Sequence, residues 1–118
     1  MPISQRAGGT ITLQASEIEI GSVEIEGAGT ATVTSVDDSA TAVTLLAANT
    51  ARKKVTIFND STETLFIRKG SGTPTTTDYS EKILAQETWF DALPVSTVAI
   101  QGIWAANGSG AAKITEET

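Results

Sequence analysis

From Thr30 onward, apolar and polar residues alternate with period two in short runs, and turn-forming residues close each run. A strand places successive side chains on opposite faces, so this spacing suits half-buried β-strands and cannot make the apolar stripe of an amphipathic helix. The runs are Thr30–Val36, Thr41–Leu46, Lys54–Asn59, Thr64–Lys69, Lys82–Leu84, Thr88–Phe90, Thr97–Ala105 and Ala112–Glu116. In Lys54–Asn59, Val55 and Ile57 share one side and Phe58 takes the other; in Thr97–Ala105, Val98, Ile100 and Gly102 share a side. About eight short strands with a turn every 8–12 residues predict an all-β fold, an antiparallel β-sandwich or a jelly-roll-like barrel.

Turn chemistry suggests how the runs connect. Asn and Asp bond their own backbone and tolerate left-handed φ, so Asn59-Asp60-Ser61-Thr62 predicts a hairpin between the third and fourth strands. Asn107-Gly108 is a strong short hairpin signal and predicts another before the last strand. Pro74 and two glycines assign 70–77 to a loop.

The chain divides near Gly27-Ala28-Gly29, which gives an N-terminal extended arm, residues 1–29, and a β-sandwich domain, residues 30–118. The arm contains an echo, Glu17-Ile18-Glu19-Ile20-Gly21 and Val23-Glu24-Ile25-Glu26-Gly27. Extended, it has one apolar and one acidic face. Burying an aliphatic side chain contributes about 2 kcal/mol, whereas fixing one residue's backbone costs about 1–2 kcal/mol. With one sizeable aliphatic per four residues, the arm cannot order itself by local burial. It adds strands to the domain, engages a neighbouring subunit, or stays disordered. Engagement makes Ile11, Leu13, Ile18, Ile20, Val23 and Ile25 the candidate partner contacts, with the glutamates facing solvent or basic neighbours.

Composition removes several chemistries. The 118 residues include no Cys and no His, which excludes disulfides, thiolate or imidazole zinc sites, thiol nucleophiles and His-based proton relays. A net charge of −6 argues against phosphate-backbone binding, and no apolar run approaches the length of a membrane span. The start MPISQRAGGT has no basic and apolar leader pattern, so a cytoplasmic origin is expected. Asp37-Asp38 beside Ser39 reads as a turn instead of an acid–base pair, and no acidic run has calcium-loop spacing. The expectation is no catalytic residue, no cofactor and no metal.

Three features could recognise a partner. Arg52-Lys53-Lys54 is the dense basic run of an acidic chain, either a solubilising strand end or a patch for an acidic surface. Trp89 and Trp104 are either core anchors or a sugar-stacking platform. Gly70-Ser71-Gly72-Thr73 lacks the Lys and the helix of a phosphate loop and reads as surface loop.

The ordered phrases Ala31-Thr32-Val33-Thr34-Ser35-Val36, Val43-Thr44-Leu45-Leu46-Ala47-Ala48-Asn49, Thr56-Ile57-Phe58-Asn59-Asp60-Ser61-Thr62 and Gly102-Ile103-Trp104-Ala105-Ala106 resemble a small β-domain of tailed-bacteriophage accessory virion proteins. The resemblance covers about three quarters of the chain, and the Glu-Ile-Glu-Ile run looks like the segment that leads into that domain. It implies a capsid decoration (cement) protein on the outer capsid surface, a homo-oligomer with a trimer favoured, whose partner is the major capsid protein. It implies no nucleic acid and no membrane, and synthesis in the host bacterial cytoplasm. A tail or fibre-associated adaptor and a glycan-binding module are the alternatives. No long receptor-binding region follows the domain, which departs from the fibre pattern.

Overall fold

A computed structural model describes residues 27–118, and all regular elements among them are β-strands. They are β1 (Ala31–Asp37), β2 (Val43–Leu46), β3 (Lys54–Ser61), β4 (Leu65–Lys69), β5 (Glu81–Ile83), β6 (Thr88–Phe90), β7 (Ile100–Trp104) and β8 (Gly110–Glu117). Two four-stranded antiparallel sheets result, ordered β1-β8-β3-β6 and β2-β7-β4-β5. The first strand pairs with the last, β2 with β7, β3 with β6 and β4 with β5. That is a long antiparallel ribbon, β1 to β4 against β5 to β8, rolled so that successive strand pairs fall in alternate sheets. Pairings β3·β8 and β4·β7 then close each sheet. This is the jelly-roll arrangement.

The period-two pattern positions the core. Along β3, Val55, Ile57, Asn59 and Ser61 are buried, while Lys54, Thr56, Phe58 and Asp60 point outward. Opposite them β4 buries Leu65 and Ile67, and β7 buries Ile100, Gly102 and Trp104. Leu45, Ile83, Ala112 and Ile114 complete the core, with Trp89 packed against its edge. A Cβ at Gly102 would lie 2.8 Å from Leu45 Cδ1 and 3.1 Å from Leu65 Cδ1, so the missing side chain leaves room for both leucines.

Both expected hairpins are corrected. β3 and β4 lie in different sheets, as do β7 and β8, so Thr62–Thr64 and the Asn107-Gly108 segment arch between layers. Asn59 is no turn residue: it is fully buried within β3. Its Nδ2 donates to Glu63 O (2.8 Å) and Ile83 O (2.9 Å), and its Oδ1 accepts from Trp104 Nε1 (3.1 Å) and Ser61 Oγ (2.7 Å). Asp38 and Asn107 keep turn roles, bonding across two loops: Gly108 N donates to Asp38 Oδ2 and Ala40 N to Asn107 Oδ1.

At Gly110 the backbone requires glycine. Its φ is +125°, and a Cβ there would collide with the carbonyl oxygen of Asp60 and stand 2.7 Å from Ser61 Cα. The close approach sets the register at which β8 begins to pair with β3.

The chain joins the sheet at Gly29 and Thr30. Gly29 N and Thr30 N both donate to Thr118 O, at 2.7 and 3.2 Å, and Thr118 N donates back to Thr30 O. The candidate arm contacts Ile11, Leu13, Ile18, Ile20, Val23 and Ile25 lie outside the described residues.

Candidate functional site

The basic run divides at its first residue. Arg52 is 3% exposed and its guanidinium is fully engaged with the interior. Nε donates to Glu116 Oε2 (2.8 Å), Nη1 to Ser96 O and Val98 O (2.8 and 2.9 Å), and Nη2 to Ala47 O (2.8 Å). The planar fork suits this position, because it satisfies one carboxylate and three carbonyls from three segments at once. Arg52 is therefore removed from the expected surface patch. Lys53 and Lys54 stay at the surface, and Lys53 Nζ donates to Gly27 O at 3.5 Å.

These two lysines border a groove of about 560 Å³. Its floor is the outward face at the end of the β1-β8-β3-β6 sheet, where Lys54 opposes Glu117 and Thr56 opposes Phe90. Its far wall is Phe90 and the following Asp91-Ala92-Leu93, and its near rim is Gly27-Ala28. Phe90 is 63% exposed and Leu93 61% exposed, large values for apolar side chains facing each other's neighbourhood. The wall is held from behind. Asp91 accepts from Lys69 Nζ (3.0 Å) through Oδ1 and from Ser96 N (2.7 Å) through Oδ2. Arg52 grips Ser96 and Val98 on the same connection. A groove with an apolar wall, a rim where Lys53 and Lys54 stand beside Glu117, and a braced backbone can take an extended segment that is apolar on one face and polar on the other.

Sequence reasoning missed Phe90 and Leu93. A signal existed for Phe90: adjacent residues of a strand face opposite ways, so in Trp89-Phe90 one aromatic must point outward. Trp89 turns in and packs on the core, opposite Ile57, with Lys69 Nζ 6.0 Å from its ring centroid. Trp104 is fully buried. The twin-tryptophan platform is therefore absent, and both residues are interior anchors.

Strand β1 is the second open feature. It borders its sheet, and among the described residues it pairs with β8 alone. All of its residues except Val36 are exposed, so it is uncovered on both faces, and Val33 is 68% exposed. At the opposite end of the same sheet, Asp37, Asp38 and Asp60 line a shallow depression with Ser35 and Lys113. Lys113 Nζ donates to Ser35 Oγ there.

No family model matches the chain, and no curated protein or solved structure matches it either.

Proposed function

We propose that this chain is a capsid decoration protein of a tailed bacteriophage, a structural subunit that binds the outer capsid surface and stabilises capsomer junctions. The observation that carries this reading is β1: a seven-residue edge strand, exposed on both faces, that follows directly on the arm. An uncovered edge of that length presents a row of backbone donors and acceptors, which a soluble monomer normally blunts. A strand from a neighbouring subunit satisfies that row by sheet extension.

The arm supplies the second attachment. Fully extended, the residues before Gly27 reach about 85 Å, enough to leave the body and cross to an adjacent subunit. Ile11, Leu13, Ile18, Ile20, Val23 and Ile25 are its apolar contacts. Two weak attachments on one chain raise each other's effective concentration, so neither needs to be strong alone. The partner is the major capsid protein, the decorating species is a homo-oligomer, with a trimer favoured, and the role is mechanical instead of catalytic.

The test is reconstitution. Purified protein is mixed with capsids lacking it, and the particles are reconstructed by cryo-electron microscopy. Density over capsomer junctions at high copy number is the expected outcome. Density confined to the tail would replace this reading with the adaptor role. Absence of binding at saturating protein would overturn both.

A further inference from the structure

We propose that Asn107 is a site of spontaneous deamidation, and that Asp38 holds the reaction in check by binding the nitrogen that would attack. The chain has asparagine at Asn49, Asn59 and Asn107, and of these Asn107 alone precedes glycine. In such a pair no Cβ hinders the next backbone nitrogen from reaching the side-chain amide. Having lost its proton, Gly108 N attacks Asn107 Cγ. A C–N bond forms, the Cγ–Nδ2 bond breaks, and Nδ2 leaves with a proton as ammonia. Water then opens the cyclic imide at either carbonyl, giving aspartate or isoaspartate.

The fold asks for this labile pair on separate grounds. Asn107 Oδ1 accepts from Ala40 N (2.8 Å), so its side chain ties two loops together. A Cβ at residue 108 would lie 2.5 Å from Thr62 Oγ1 and 2.6 Å from Glu63 Cγ, so a side chain there would displace both. Both residues of the pair are exposed, which gives water and hydroxide free access.

The contacts around the pair oppose the reaction. Gly108 N donates to Asp38 Oδ2 (3.1 Å), and closing the imide removes that N–H and breaks the bond. A carboxylate disfavours a negative nitrogen beside it and is a far weaker base than an amide anion, so the proton stays on nitrogen. Ser109 N donates to Thr62 Oγ1 and Thr62 N to Ser109 O, both at 3.1 Å, which fixes the backbone beyond Gly108. Asp38 is fixed in turn, its own N donating to Gly110 O (3.1 Å). Reaction therefore waits on local opening of the arch. Isoaspartate routes the backbone through the former side chain and adds a carbon between β7 and β8. That draws Gly108 N from Asp38 and shifts Gly110, where β8 begins to pair with β3. Asp38 thus guards the register of the last strand. The inference goes beyond the capsid reading and stands whether or not that reading holds.

The test follows Asn107 in the full chain, in the same chain unfolded by guanidinium chloride, and in Asp38→Ala and Asp38→Asn variants. All are incubated in one mildly alkaline buffer, and liquid chromatography with mass spectrometry of proteolytic peptides quantifies asparagine, aspartate and isoaspartate. Native Asn107 should react at least about 10-fold more slowly than in the unfolded chain, because opening must come first. Asp38→Ala should react at least about 5-fold faster than the native protein, since the arch then opens more readily. Asp38→Asn keeps an acceptor without the charge and should fall between the two. Emission of the buried Trp104 checks that each variant is folded, and if Asp38→Ala is not, Asp38→Asn decides. Equal rates in native and unfolded protein would overturn the proposal, as would native rates in the folded variants. Slower reaction in the variants would make Asp38 a base that promotes deamidation, which overturns it as well.

Discussion

Arg52, two residues before β3, and Asn59, near the strand's far end, are both buried polar residues that tie distant segments together. They do so at different risk. Asn59 is neutral and sits deep in the core, where its amide joins β3 to Trp104, to Ile83 O and to the arch at Glu63. Arg52 is charged and closes the end of the sandwich nearest the groove, gripping the 47, 96 and 98 carbonyls and Glu116. Losing an amide leaves neutral groups unpaired; losing a guanidinium leaves a carboxylate unpaired as well. The charged end thus shapes the groove, and the neutral end secures the fold's crossover.

The largest effect should come from Arg52→Met. It strands Glu116 and three carbonyls, and removing one partner of a buried pair costs about 3–5 kcal/mol. Urea unfolding measures it, and a loss below about 1 kcal/mol would show that the loops re-satisfy themselves with water. Arg52→Lys should recover only part, because a point charge cannot bond in four directions as the fork does.

Asn59→Ala should follow, at about 2–4 kcal/mol, through the unpaired Trp104 Nε1 and the Ile83 and Glu63 carbonyls. Trp104 fluorescence gives a direct reading of that site. The comparison predicts a further distinction: Arg52→Met should loosen the 91–98 connection in hydrogen exchange, whereas Asn59→Ala should leave it unchanged and loosen the arch at Glu63.

The smallest effects should come from the neighbours of Arg52 in sequence. Lys53→Gln and Lys54→Gln sit at the surface and should change stability by no more than about 0.5 kcal/mol. The exposed Arg68–Asp78 pair, 36% and 69% exposed, belongs to the same class, and Asp78→Asn should cost about 1 kcal/mol at most. If either lysine substitution matched Arg52→Met, the division of the basic run would be wrong.

Much of the fold is legible in the sequence. Alternation marked every strand, and it assigned the correct sides of β3 and β7, because facing in or out depends only on position parity. The site was legible in part. The basic run reads as exposed, which holds for Lys53 and Lys54 but not for Arg52, whose partner Glu116 is 64 residues away. Leu93 carried no local signal of exposure, because a loop has no periodicity to read.

What the sequence determined by itself was the local layer: an all-β chain, the strand positions and the inward faces. What the tertiary structure decided was which sheet each strand joins. Asn59-Asp60 has turn-type residues yet stays within β3, and Asn107-Gly108 does reverse the chain, but a hairpin and an arch between layers ask the same of the backbone there. The choice rests on pairings such as β3 with β8 and β1 with β8, whose partners lie far apart along the chain. Turn chemistry acts over a few residues, whereas sheet membership is set by the burial of a whole strand face, and only the assembled core decides it.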